Sequence, residues 1–323
     1  MKSFNSAFAP KLEALLAFRE AMGLSRLPMA QYLRRLDRFC SAHYPNSAHL
    51  SKDIVMKWID AESMRKNNDI CGKANAIRQL GKYLDSVGEA AYILPERFAP
   101  RKSNFVPYIF SDDELASFFR SADALWPTGN YPFDPEIAPV LFRMLYSCGL
   151  RPGEGRLLKR SAINFNTGEV LITQNNKQKK ERIIVMSDDM LALCKQYDTQ
   201  RTIFGRGSDF FFPAREGRPY TPLRLIDVFK KCWFLANPDV PIPDVPGARP
   251  YDLRHRFATT VMHRWLDEGR DLYAMLPCLR AYMGHETFAS TAYYIHLLPE
   301  NLVRSAGIDW TSFDTMFPER VRQ

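Results

Sequence analysis

The chain contains 323 residues, of which 46% are hydrophobic and 25% charged, a composition typical of folded globular proteins and unlike disordered or collagen-like ones. The length exceeds what one hydrophobic core usually organises, so two domains are favoured, and the net charge of +8 is a weak indication of an anionic partner. No apolar run approaches the roughly 20 residues that cross a bilayer, which predicts a cytoplasmic protein without a membrane partner.

Residues 1–103 are predicted to begin with a small helical bundle. Apolar residues recur at three-to-four spacing in four stretches, and no strand pattern interrupts them. Ser51 precedes the third stretch and can cap a helix there. The predicted helices cover residues 9–22, 28–43, 52–64 and 71–87.

The positive charge is concentrated in this first segment. Residues 1–105 contain 17 Lys or Arg and 10 Asp or Glu, a net charge of +7, whereas the remainder carries +1. A basic excess on one segment is the expected electrostatic footprint of contact with a phosphate backbone. A solvated basic surface without a partner is an equally good interpretation of the charge alone.

A linker is predicted at about 90–103, where Pro95, Pro100 and the pair Arg101 and Lys102 replace the helical pattern, with Pro107 shortly after. The second domain is then expected to begin at 104. Ser111 and Glu114 form a capping box that starts its first amphipathic helix.

The second domain is predicted to be mainly helical with one small antiparallel sheet. An apolar helix at 137–148 ends at Gly149, and two alternating segments around a polar turn at 168–187 indicate a β-hairpin. Helices follow near 188–199, 222–235, 253–268, 271–283 and 287–297. The predicted fold class is therefore a multidomain, mainly α protein with a β-hairpin in its second domain.

Cysteine usage argues against zinc ligation and against a disulfide framework. The six cysteines are scattered through apolar helical contexts, and none forms a CxxC pair. Reduced thiols in or near the core are expected. The residues concerned are Cys40, Cys71, Cys148, Cys194, Cys232 and Cys278.

Four segments of the second domain contain residues that could carry chemistry. The first two are each weak indicators of a functional site when taken alone. Arg151, in the sequence GLRPGE, follows a predicted helix end, where an arginine usually binds carbonyls or solvent. Lys177 lies with two further lysines in the hairpin turn, where an anion would relieve their repulsion. Solubility alone also explains most lysine-rich turns.

The other two segments combine ionisable groups with core-forming residues. Tyr251 to Thr259 starts a predicted helix with a dense ionisable run, and a partly buried Arg254 there needs a carboxylate or phosphate partner. His285 follows the glycine that ends the next helix. Tyr293 and Tyr294 point about 100° apart on a helix, so at most one can lie fully on its buried face.

In this order and spacing, the four segments resemble the tyrosine recombinase, or phage integrase, family. The resemblance covers roughly residues 104–300. The Lys-Glu-Arg sequence that follows the hairpin turn aligns Lys177 with the catalytic lysine of the family. Residues 1–103 match the family's SAM-like core-binding domain in layout only. The resemblance assigns the catalytic positions to Arg151, Lys177, Tyr251, Arg254, His285 and the nucleophile Tyr294.

The resemblance implies a site-specific recombinase that cleaves and rejoins double-stranded DNA through a 3′-phosphotyrosyl intermediate. Arg151 and Arg254 would stabilise the phosphate transition state, and Lys177 would protonate the leaving 5′ oxygen. His285 would bind the scissile phosphate. No cofactor, metal ion or ATP is expected, because the arginines supply the positive charge and the covalent intermediate keeps the bond energy.

One departure from the family pattern falls on a catalytic position. The family usually has a histidine three residues before the second arginine, and this chain has Tyr251. A phenol can donate a hydrogen bond to a phosphate oxygen but is a poor base near neutral pH. A second departure, Ala162 where many relatives have an aspartate, removes a helix cap and no catalytic group.

The resemblance also implies partners and leaves alternatives open. A homotetramer on paired DNA sites, associated with a bacterial nucleoid, is expected. Residues 301–323 form a tail with five large apolar side chains, which could pack on its own domain or on a neighbouring subunit. A non-catalytic DNA-binding relative and a type IB topoisomerase-like enzyme are the alternative functions.

Overall fold

The computed structural model describes residues 4–61, 67–98, 106–129, 132–173, 181–204 and 207–297. The chain divides into two compact units, Met1–Val106 and Pro107–Gln323. Each unit has its own hydrophobic core and is described separately.

The first unit is a helical bundle. In its described part, the buried core is formed by apolar side chains such as Leu33, Trp58 and Leu80. The Ser51 hydroxyl accepts the backbone N–H of Ile54 at 3.3 Å, so the predicted cap is confirmed. The helices are α1 (Ala9–Ala21), α2 (Arg26–His43), α3 (Lys52–Asp60) and α4 (Asn67–Ser86).

The second unit packs helices around a two-stranded antiparallel sheet. Strands β1 (Glu169–Ile172) and β2 (Arg182–Val185) pair with Glu169 opposite Val185 and Ile172 opposite Arg182, so the predicted strands are confirmed. The predicted turn, with Lys177, lies outside the described residues. The helices are α5 (Asp112–Asp123), α6 (Asp134–Ser147), α7 (Pro152–Arg156), α8 (Asp188–Phe204), α9 (Pro222–Leu235), α10 (Pro250–Asp267), α11 (Leu272–Met283) and α12 (Ala289–Ala292).

The segment predicted as one helix at 287–297 is built differently. Helix α12 covers only Ala289–Ala292, and a 3₁₀ helix continues over Tyr293–Leu297. A 3₁₀ helix turns about 120° per residue, so adjacent side chains diverge even more than on an α-helix. Tyr293 is accordingly 38% exposed, whereas Tyr294 is only 2% exposed.

The apolar side chains of the second unit form two clusters. The larger one surrounds α6 and includes the sheet and α9. The smaller one joins α10 and α11, through residues such as Met262 and Leu276, to the ring of Tyr294. This smaller cluster fixes the last described segment against α10.

All six cysteines lie in the described ranges, and none is disulfide-bonded. Among the described residues, no helix combines the length and apolarity that crossing a bilayer requires.

Candidate active site

The C-terminal end of α11 gathers three arginines. Gly284 ends the helix with a left-handed backbone (φ 63°), a conformation that suits glycine. Helix ends leave carbonyl groups without intrahelical partners. The carbonyls of residues 282, 283 and 284 accept hydrogen bonds from Arg182 (2.9 Å), Arg254 (2.6 Å) and Arg151 (2.6 Å), respectively.

Glu154 neutralises part of this positive charge. Its buried carboxylate accepts two hydrogen bonds from the Arg182 guanidinium and one from the Arg151 guanidinium, each of 2.8 Å, and the Arg254 guanidinium lies 4.0 Å away. Burial opposes its ionisation, but the bonds from Arg182 and Arg151 outweigh that effect and lower the pKa of Glu154 to about 2. The carboxylate therefore stays ionised at neutral pH and positions two guanidinium groups.

Arg254 is the most deeply buried of the three arginines. Its side chain is fully buried on α10, and it donates to the carbonyls of Gly149 and Met283. In the described part of the chain, its Nε has no hydrogen-bond partner. A buried guanidinium requires an anion or further acceptors to satisfy its donors.

The hydroxyl of Tyr294 faces this cluster. It lies 3.2 Å from Nδ1 of His255, and the ring stacks on His285 at a centroid distance of 5.9 Å. Burial raises the pKa of Tyr294 to about 12, against the opposing effect of the Arg254 guanidinium. The phenol is therefore protonated at neutral pH and lies beside the most buried arginine.

The two histidines of the site have different hydrogen bonds. Nε2 of His285 lies 3.0 Å from Nη2 of Arg254 and must accept, because a guanidinium only donates. Its Nδ1 therefore carries the proton and donates to the Thr291 hydroxyl at 2.8 Å. Burial, followed by the field of Arg254, lowers the pKa of His285 to about 3, so the ring is neutral.

Tyr251 lies at the rim of the cluster. Its ring packs against His255 at a centroid distance of 5.0 Å, and its hydroxyl interacts with Arg151. A pocket of about 660 Å³ opens beside it, lined by side chains of α7, α9 and the start of α10. The phenol therefore connects the arginine cluster with an open cavity.

The structure brings together five of the six residues that the sequence analysis assigned to the site. They are Arg151, Tyr251, Arg254, His285 and Tyr294; Lys177 lies outside the described residues. Sequence reasoning did not assign roles to Glu154, Arg182 or His255. The signal for Glu154 was its position three residues after Arg151, where it accepts the arginine's backbone N–H at 2.8 Å.

Comparison with known proteins finds relatives of this chain among integrases and recombinases. The model of the phage integrase family matches residues 134–301, slightly more than half of the chain. A putative integrase/recombinase y4rE of Sinorhizobium fredii is 29% identical over 301 residues, which cover 91% of this chain and 93% of the relative. The tyrosine recombinase XerC of Oceanobacillus iheyensis is 26% identical over 270 residues, 81% of this chain and 80% of that protein.

A solved structure shares the fold. The XerH site-specific recombinase, bound to a palindromic difH substrate in a post-cleavage complex, superposes with a TM-score of 0.63 at 18% identity. The superposition covers 93% of this chain and 84% of XerH. The family model matches more than half of the chain, and the mainly helical fold with one small sheet is shared with a solved recombinase. The chain therefore belongs to the phage integrase family of tyrosine recombinases.

Proposed function

We propose that the chain is a site-specific recombinase that cleaves and rejoins double-stranded DNA through a 3′-phosphotyrosyl intermediate. The main support for the proposal is the convergence of four side chains. The guanidinium of Arg254, the imidazole of His285 and the phenol of Tyr294 meet at one place, and Arg151 bonds the carbonyl next to the one that Arg254 bonds.

The arginines are suited to a phosphate in the transition state. Attack on a phosphodiester increases the negative charge of the non-bridging oxygens, and guanidinium groups bind such oxygens with two parallel donors. Glu154 holds Arg151 and Arg182 in place before DNA arrives, so little reorganisation is needed at the moment of reaction. The Nε of Arg254, which has no hydrogen-bond partner among the described residues, would provide a donor for the incoming anion.

Tyr294 is proposed as the nucleophile. Its oxygen would attack the phosphorus and displace the 5′ oxygen, and the new phosphotyrosyl ester keeps the energy of the broken bond. Rejoining therefore needs no ATP. Lys177 would donate the proton that the leaving oxygen requires, a role that rests on the family resemblance.

His285 and Tyr251 would complete the phosphate site. A bound phosphate adds negative charge near His285 and raises its pKa, so that the ring can become a donor to a phosphate oxygen. Tyr251 can donate through its hydroxyl from its place beside Arg151.

The proposed macromolecular partner is duplex DNA. The net charge of +7 on residues 1–105 supports contacts from the first unit, proposed as a core-binding domain, to the phosphate backbone. Recombination joins two sites, so a homotetramer on paired sites is proposed for the active assembly. The tail, residues 301–323, is proposed to dock on the same or a neighbouring subunit, and deleting 304–323 distinguishes the two by its effect on tetramer formation.

A suicide substrate tests the proposal. Nicked duplexes prepared from the genome of the source organism lose a short strand after cleavage and trap the covalent adduct, which migrates slowly in a denaturing gel. The wild type and Tyr293→Phe are expected to form the adduct. Tyr294→Phe is expected to form none and to shift the same duplexes in a native gel.

Other outcomes favour the alternative functions. DNA binding by the wild type without any adduct contradicts catalysis and supports a non-catalytic DNA-binding relative. An adduct together with relaxation of supercoiled plasmid, but without a complex of paired sites, supports a type IB topoisomerase-like enzyme.

A further inference from the structure

We propose that His255 is the general base that removes the proton of Tyr294 during DNA cleavage. The inference rests on the proposed function and adds a residue to it. The position where the family usually has a histidine holds Tyr251, and a phenol is a poor proton acceptor at neutral pH. The reaction therefore needs another acceptor near the nucleophile.

His255 has the geometry of that acceptor. Its Nδ1 lies 3.2 Å from the hydroxyl of Tyr294, at the outer limit of the range expected for a nucleophile and its base. The side chain projects from α10 directly after Arg254, and the rings of His255 and Tyr294 lie 5.5 Å apart. The base and the buried arginine thus approach the phenol from adjacent positions of one helix.

The surrounding groups favour the required direction of the hydrogen bond. The Arg254 guanidinium can only donate, so it faces the phenol as a donor, and the phenolic hydrogen needs a different acceptor. Nδ1 of His255 is such an acceptor when its proton lies on Nε2. That nitrogen is 3.8 Å from Oδ1 of Asp252, a fully buried carboxylate. Asp252 is a positioning residue that favours the Nε2–H tautomer and an imidazolium formed during the reaction.

The other candidates are less suitable. His285 has both ring nitrogens engaged, one with Arg254 and one with Thr291, and its contact with Tyr294 is through stacked rings. The Tyr251 hydroxyl interacts with Arg151. Among the described residues, His255 is the one with a ring nitrogen at the nucleophilic oxygen.

Burial and the neighbouring arginines keep His255 neutral in the free protein. Burial, followed by the fields of Arg249 and Arg254, lowers its pKa to about 4, so the unprotonated ring predominates at neutral pH. A phosphate bound by the arginines offsets their field and increases the basicity of the ring. The titratable and charged groups that face it are Arg249, Tyr251, Asp252, Arg254, His285 and Tyr294.

The proton balance of the step is complete. The Tyr294 oxygen forms a bond to phosphorus as its proton moves to Nδ1 of His255, and the bond between phosphorus and the 5′ oxygen breaks. The leaving oxygen takes a proton from the general acid proposed at Lys177. Rejoining reverses both transfers, so imidazolium at 255 returns the proton to the phenolate as it leaves.

The pH dependence of single-turnover cleavage tests the inference. His255→Gln keeps a polar side chain but removes the base, and its rate at pH 7 is expected to fall about 10²-fold or more. Attack then requires phenolate formed in solvent equilibrium. Because the pKa of Tyr294 is about 12, the variant's rate should rise about tenfold per pH unit from pH 6 to 8. The wild type should not share that rise.

Matched measurements separate catalysis from structure. His263→Gln makes the same substitution on the same helix and should leave the rate and its pH profile as in the wild type. His255→Ala with added imidazole should recover part of the lost rate, a rescue that a structural role does not predict. Native gel shifts confirm that each variant still binds DNA.

The outcomes distinguish the two proposals. Absence of an adduct with the wild type overturns the proposed function. With an active wild type, a His255→Gln rate within threefold of it, or a lower rate with an unchanged pH profile, overturns the inference alone. If His255→Gln does not fold, the decision passes to His255→Ala, for which failure of imidazole to raise the rate overturns the base role.

Discussion

Replacing Glu154 by glutamine should destabilise the second unit more than the same replacement at an exposed glutamate. The carboxylate is 1% exposed and accepts hydrogen bonds from Arg151 and Arg182. Glutamine removes the negative charge and places an amide donor against guanidinium groups that cannot accept. Removing one partner of a buried ion pair typically costs about 3–5 kcal/mol, because the remaining charge stays buried without compensation.

The lowered pKa of Glu154 gives a second value for its contribution to the free energy of unfolding. Lowering the pKa from 4.5 to about 2 corresponds to about 3 kcal/mol of stability at neutral pH. The folded-state pKa lies below the unfolded value, so this contribution is fully present above about pH 5 and disappears as the pH falls towards 2. The stability difference between the wild type and Glu154→Gln should therefore shrink with acidification.

Urea denaturation of the full chain at pH 7 and pH 3 measures this difference. Glu169→Gln is the matched control, because Glu169 is exposed and its carboxylate accepts a bond from Thr167, so the expected loss is within about 0.5 kcal/mol. If Glu154→Gln lost no more stability than Glu169→Gln, the buried carboxylate would not hold the arginines as argued. A difference that did not depend on pH would contradict the electrostatic explanation.

Three further predictions concern the backbone, the general acid and the DNA contact. Gly149→Ala should lower the free energy of unfolding by roughly 2–4 kcal/mol in urea denaturation, because a Cβ at its left-handed φ of 59° would lie 2.4 Å from the Phe257 ring. The control Gly153→Ala should be nearly neutral, because a Cβ there meets nothing within 4 Å. Lys177→Ala should slow cleavage of ordinary DNA about 10²-fold or more, and a 5′-bridging phosphorothiolate should restore it because a thiolate leaves without protonation; no rescue would refute the acid role. The same substrate should not rescue His255→Gln. DNA affinity in gel shifts should fall about 10³-fold or more between 50 and 200 mM salt if six or more phosphates are contacted, and a flat response would contradict backbone binding.

Much of the fold followed from local patterns in the sequence. Three-to-four spacing placed α2 and α9 within two residues at each end, and alternation placed both strands of the hairpin. Capping residues were equally informative, since Ser111 and Glu114 form the reciprocal capping box that the sequence indicated. The short helix α7 was not predicted, because five residues cannot display a periodic pattern.

The site was only partly accessible to sequence reasoning. Motif order identified Arg151 and Arg254, but the carbonyls that hold them belong to a helix end about 30 to 130 residues further along the chain. The convergence of Arg182 on Glu154 depends on a separation of 28 residues, which no local pattern encodes. The contact between His255 and Tyr294 likewise depends on how α10 packs against the last described segment.

The proposal that Tyr294 attacks a phosphate held by Arg151 and Arg254 can be tested on the covalent bond itself. Its most direct test is proteolysis of the trapped adduct, followed by mass spectrometry of the peptide that retains nucleotide. A 3′-phosphate ester is expected on residue 294, with none on the more exposed Tyr293. A nucleotide found on Tyr293, or an adduct that persists in Tyr294→Phe, would contradict it.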